Sequence, residues 1–262
     1  MHYFRWKWHP LLLMPLCFAL SGSAVAQVNI FTGETMKQMR LDAGWYNSVS
    51  LDSTYLAGNT ELLTLITRCR SDYLAKTYHG FVFGSLQLGR KSGTFFTNKG
   101  MAHGRIIRKL TRHFAVEAFV QKQFNTSILL SDRNLAGGGA RFAVIPSNPR
   151  LNLYLGIGAM WEHELLNAAK IDEMNTRIVR ATNYINWSGQ LGERLTSSAT
   201  GYYQVHVNRV VDYRILLEGN VTFQLTTRLA FPLRLNFRYD NEPPASIEKY
   251  DVEIFNGLRY TF

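Results

Sequence analysis

The residues best placed to do chemistry in this 262-residue chain are charged ones that alternate with apolar neighbours: Arg180, Arg214, Glu218, Arg234, Arg238, Asp240, Asp251, Glu253 and Arg259. Charges of both signs at this density suit two tasks. They can neutralise one another as a salt-bridge network inside a protein. Where arginines gather, they can instead replace the hydration shell of a passing anion. Arg214, Arg234, Arg238 and Arg259 come from three consecutive strand patterns, so they could form one wall. Catalysis is the weaker reading. His206 shares a face with Ser198 and lies one strand from Ser188, but no Gly-x-Ser-x-Gly elbow is present. His79, His103, His113 and His163 are scattered, and no Cys/His cluster suggests a zinc site. No helix pattern follows Gly137-Gly138-Gly139, so it is not a phosphate loop. No catalytic, cofactor-binding or metal-binding residue is expected, and no cofactor.

Those charges must be held by strands. Side chains of a β-strand alternate between its two faces. In the final thirteen residues, Tyr250, Val252, Ile254, Leu258, Tyr260 and Phe262 fall on one side, and Asp251, Glu253, Arg259 and Thr261 on the other. The same pattern fills 151–164, 179–191, 195–208, 213–225 and 229–239. Rougher strands are expected at 45–56, 62–72, 77–90, 101–110, 114–124 and 135–145. Twelve strands result, an even number, as single-chain bacterial barrels require. The fold class expected is all-β: a transmembrane antiparallel up-and-down β-barrel of about 12 strands. Short turns are expected after even-numbered strands. The longest loops, 91–100, 125–134, 165–177 and 241–249, should follow odd-numbered ones. Trp45, Trp161 and Trp187 fall on outward faces toward strand ends, where an aromatic girdle sits.

The ends carry addresses. Arg5 and Lys7, the apolar run 11–20 and Ala24-Val25-Ala26 read as a signal peptide over 1–26. Residues 27–44 would be a periplasmic tail and 45–262 the barrel. Cleavage near Ala26 would lower the formal net charge from +10 to +8 by removing Arg5 and Lys7. An exported basic chain points to lipopolysaccharide or anionic solutes, with no nucleic acid as partner. Lys122 and Arg177 are candidates for lipopolysaccharide phosphates by charge. Leu258, Tyr260 and Phe262 form an aromatic-ended terminal strand of the kind the barrel-assembly machinery reads. Cys69 is the only cysteine beyond the leader, so no disulfide is expected within the mature chain.

Gly58-Asn59-Thr60-Glu61, Glu162 after the 156–161 strand, Asp212-Tyr213-Arg214, and Tyr239-Asp-Asn-Glu-Pro-Pro244 with Lys249-Tyr-Asp251 occur together. As a set they resemble a domain-of-unknown-function outer-membrane barrel family labelled putative salt-induced outer-membrane proteins, over about 45–262. The resemblance implies an outer-membrane barrel and supplies no activity. The function expected is a monomeric, narrow, passive channel for small, anionic solutes in the outer membrane. The alternative is a closed structural or lipopolysaccharide-binding barrel that supports the envelope under osmotic or salt stress.

Overall fold

The computed structural model describes residues 43–57, 61–145, 151–167, 175–244 and 247–262. The expected leader and nearly all of the tail lie outside them. The strands are β1 Gly44–Leu56, β2 Leu62–Leu74, β3 Tyr78–Lys91, β4 Thr94–Lys109, β5 Phe114–Asn125, β6 Leu130–Ile145, β7 Leu151–Leu166, β8 Asn175–Gln190, β9 Leu195–His206, β10 Arg209–Gln224, β11 Leu229–Asp240, β12 Tyr250–Asn256 and β13 Leu258–Thr261. Consecutive strands pair antiparallel from β1 to β12. β13 closes the ring by pairing with β1 and with the start of β11. β12 and β13 are one strand interrupted at Gly257, so the barrel has twelve strands, as the alternation predicts.

Lipid explains which face points where. Val82, Val120, Ile157, Ile185, Leu235 and Ile254 point outward and are 44–65 % exposed. The buried set is rich in Arg, Asp, Glu, Gln and Asn. That inverts the order of a water-soluble protein. It is the order a closed barrel needs when its outside meets hydrocarbon and every backbone group pairs with a neighbouring strand.

At one end, here the turn end, hairpins close through 75–77, 110–113, 191–194 and 225–228. Two of the four expected long loops need correction at the other end, the loop end. The segment 91–100 is not a long loop. Ser92 and Gly93, both at positive φ, make a two-residue turn, and β4 starts at Thr94. Paired positive-φ residues match the twist of a tight hairpin. The segment 125–134 is a single 3-10 turn, Thr126–Ile128, and β6 starts at Leu130. Thr97, Lys99 and Arg133 there belong to strands and face a polar lumen.

Glycine makes room where the lumen is crowded. A Cβ on Gly156 would collide with the Tyr184 ring from β8. Tyr184, Tyr202 and Leu216 pack together there as one of the barrel's few apolar inner clusters.

Candidate functional site: the lumen

Six strands converge on an ionic network in the loop half of the barrel. Glu162 and Glu164 stand at alternate positions of β7, so both point inward. Arg180 from β8 donates to Glu162 at 3.0 Å, and Arg214 from β10 reaches the same carboxylate at 3.0 Å. Arg133 from β6 donates through Nε to Glu164 at 2.7 Å. Arg214 also holds Asp240 of β11 at 2.8 Å, and Arg238 holds Asp240 at 2.9 Å. Arg238 reaches on to Asp251 of β12 at 3.7 Å. β10 is bulged against β9 between Arg209 and Tyr213. Asp212 within that bulge receives Arg180 at both carboxylate oxygens, 2.7 and 3.0 Å. Arg133, Arg180, Glu162 and Asp240 are at most 2 % exposed. Charges this deeply desolvated are tolerable only when paired.

Nearer the turn end the interior is also filled. Arg105 lies 3.6 Å from Glu117 and 5.0 Å over the Phe119 ring. It reaches across to the electrostatic field of Tyr184 and Tyr202 on the opposite wall. Glu218 faces the same Tyr202. Arg141 stacks at 4.1 Å on Tyr154. His103 bonds Gln121 at 2.9 Å.

The wall made by β1–β3, β11 and β13 differs. Asp52 of β1 is held by Arg68 of β2 and, at 3.0 Å, by Arg234 of β11. Arg234 also donates to the Ser50 hydroxyl at 3.3 Å. Arg259 of β13 stands opposite Ser50, near Arg234 and Arg70. It has no carboxylate partner among the described residues. Arg70 is satisfied by Asp72 at 2.7 and 2.8 Å, and His79 adds a third contact to Asp72 at 2.8 Å. Lys99 of β4 is paired with Glu253 across the seam. Arg68, Arg234, Arg259, Ser85, Gln87 and Asn236 are half-buried. These six keep partial water contact, although Ser50, Asp52, Arg70, Asp72 and His79 on the same wall are buried.

The expected lumen residues are all directed inward, but they divide. Arg180, Arg214, Arg238, Asp240 and Asp251 belong to the closed network, with Glu253 tied to Lys99. Glu218 sits in the turn half, and Arg234 and Arg259 on the basic wall. Sequence reading missed Arg133 and Lys99, which it placed in loops, and Glu164, two residues beyond Glu162. Continuing the alternation through those polar stretches would have found all three. The Ser/His idea fails on geometry. Ser188 pairs with Ser198, whereas His206 pairs with Arg180. Eight residues of strand separate Ser198 from His206, roughly 26 Å. Lys122 is an exposed partner of Asp132 at 2.7 Å.

On the outside, Trp45 and Trp161 are exposed at 65 and 43 %, and Trp187 is half-buried. Trp45 packs on Tyr73 with ring centres 5.0 Å apart. A tyrosine row, Tyr203–Tyr213–Tyr239, crosses β9 to β11 near the loop end with centres 5.9 Å apart. Leu258, Tyr260 and Phe262 are exposed, and Tyr260 stacks on Phe262 at 6.0 Å.

Among solved structures, the NanC porin is similar at 8 % identity, with 82 % of this chain and 97 % of that chain covered and a TM-score of 0.48. The translocator domain of autotransporter NalP from Neisseria meningitidis is similar at 11 % identity, covering 87 % and 92 %, with a TM-score of 0.48. An anion-selective porin from Comamonas acidovorans is similar at 9 %, covering 84 % and 99 %, with a TM-score of 0.40. None of their properties transfers to this chain at that level of likeness. No curated protein matches it. A family described as "Protein of unknown function, DUF481" matches residues 49–262, nearly the whole barrel, and the chain belongs to that family.

Proposed function

We propose that this barrel resides in the bacterial outer membrane after loss of its leader and passes small anions along one narrow inner wall. The observation that carries the reading is Arg259. It is a lumen-facing guanidinium with no carboxylate partner among the described residues, next to Arg68 and Arg234, which share the single carboxylate Asp52. Water reaches that wall, and a hydrated anion there would exchange water for guanidinium N–H groups. The buried network opposite narrows the lumen to that side. On this reading the turn end is periplasmic, as the short turns of outer-membrane barrels are. The protein acts as a monomer, and the assembly machinery reads Leu258, Tyr260 and Phe262. Vesicles holding the refolded barrel, an entrapped chloride-quenched dye and valinomycin test it. Chloride added outside should quench the dye faster than in protein-free vesicles. Quenching at the protein-free rate would refute passage.

One observation favours a second reading. Glu162, Arg133, Arg180 and Asp240 exclude water almost completely. A barrel sealed at that level would act as a structural or lipopolysaccharide-binding element that supports the envelope under osmotic or salt stress. Exposed Arg177 and the Lys122–Asp132 pair would then meet lipopolysaccharide phosphates. Folded protein with no chloride influx would favour it.

A further inference from the structure

The seam of the ring is only half zipped. β1 pairs with β2 along its whole length, from Gly44↔Leu74 to Leu56↔Leu62. On its other side it pairs with β13 only from Ser48↔Thr261 to Leu51↔Leu258. Backbone bonds between Asn47 and Phe262 extend that ladder toward the turn end. Toward the loop end it stops. β12 pairs with β11 alone. Residues 53–56 of β1 and 253–256 of β12 are therefore facing edges with no ladder between them.

Continuing the β11 registers puts Pro232 opposite Gly257 at the break, and Pro232 has no N–H to give that rung. A Cβ on Gly257 would collide with the Asp52 carboxylate and crowd the Leu51 carbonyl. Asp52, drawn inward by Arg68 and Arg234, occupies the space that a side chain would fill, and the strand breaks at that point. The lips of the slit are apolar outside: Tyr55 and Ile254 are 74 and 65 % exposed. Inside, the Asp52 carboxylate lies against Gly257 at its foot, and Arg259 stands two residues below, opposite Ser50. Open strand edges are costly in hydrocarbon, so a slit at this depth is stable when something fills it. The wall behind it already holds one carboxylate between two arginines, and Arg259 has capacity for a second.

We propose that the β1–β12 slit is a lateral binding site for a single-chain carboxylate amphiphile of the fatty-acid type. Its chain would lie between the lips and its carboxylate on Arg259. The inference needs the barrel in a membrane but not ion passage, so the two readings fail separately. Extending the β1–β13 register places Ser53 opposite Asn256, both outward and exposed. The test uses refolded barrel in amphipol, 11-dansylaminoundecanoate as probe, and Cys69→Ser throughout to leave one thiol pair. The unsubstituted seam should bind the probe saturably. Oxidised Ser53→Cys/Asn256→Cys should lose that binding and regain it on reduction. Arg259→Ser should weaken it roughly tenfold, as loss of a charge-assisted contact does. Should the thiols fail to cross-link, Arg259→Ser and an uncharged dansyl alcohol decide alone. Absence of saturable binding by folded protein, or equal affinity for acid and alcohol, would overturn the proposal.

Discussion

Single residues in this lumen have unequal roles, and the difference is partnership. Glu162 receives Arg180 and Arg214 and lies 3.9 Å from Arg133. Glu162→Gln leaves three buried guanidinium groups short of charge. It should lower stability by about 3–5 kcal/mol, the usual cost of breaking a buried ion pair. Urea unfolding in lipid vesicles, followed by tryptophan emission, measures it. Lys122→Ala removes an exposed pair with Asp132 and should change stability by less than about 1 kcal/mol in the same assay. Arg259→Ser and Arg238→Ser should separate in kind. Arg259 has no carboxylate partner among the described residues, so its loss should move the reversal potential toward zero with little change in stability. Arg238 is bound to Asp240 and Asp251, so its loss should destabilise the barrel first. Equal effects on selectivity would contradict the division of the lumen into two walls.

Elements were legible where the two faces differ most. β7 to β11 alternate Leu, Ile, Val and aromatic residues against Asn, Thr, Gln and Arg, and their strands lie within a few residues of the expected places. β4 and β6 began earlier than expected because Thr94–Lys99 and Leu130–Asn134 are polar. Polarity signals a loop in a water-soluble protein, but in a barrel it also marks the lumen face, as Thr97, Lys99 and Arg133 do. The interruption at Gly257 was legible only in part. Pro232, which the β11 registers place opposite Gly257, marks a weak rung in the sequence, but alternation runs through Gly257 unbroken and the Asp52 carboxylate packed there is far away in sequence. Gly257→Ala should therefore disturb the seam specifically. Less refolded protein should resist dissociation in unheated detergent gels, whereas Gly192→Ala, in an exposed turn, should refold as the parent does. Equal yields for the two would refute the account of the seam.

As a whole molecule the barrel is an apolar cylinder around an asymmetric charged interior. The β6–β8 side is sealed by paired charges, and the side formed by β1–β3, β11 and β13 keeps half-buried Arg68, Arg234 and Arg259 among buried neighbours and carries an arginine excess. The class of this interior could be read from the sequence, since only a polar lumen reconciles near-neutral hydropathy with a membrane setting. Its asymmetry could not, because pairing depends on which inward charges meet across four or five strands, as Lys99 and Glu253 do. An electrostatic passage should also weaken with salt, since screening shortens to about 3 Å at 1 M. Anion preference should therefore fall between 0.1 and 1 M potassium chloride, read from the reversal potential at fixed concentration ratio. The most direct test of the central claim is single-channel current across a planar bilayer holding the refolded barrel under a potassium chloride gradient. Small discrete steps with an anion-selective reversal potential are predicted. Fully folded barrel that gives no steps, or steps that favour potassium, would contradict it.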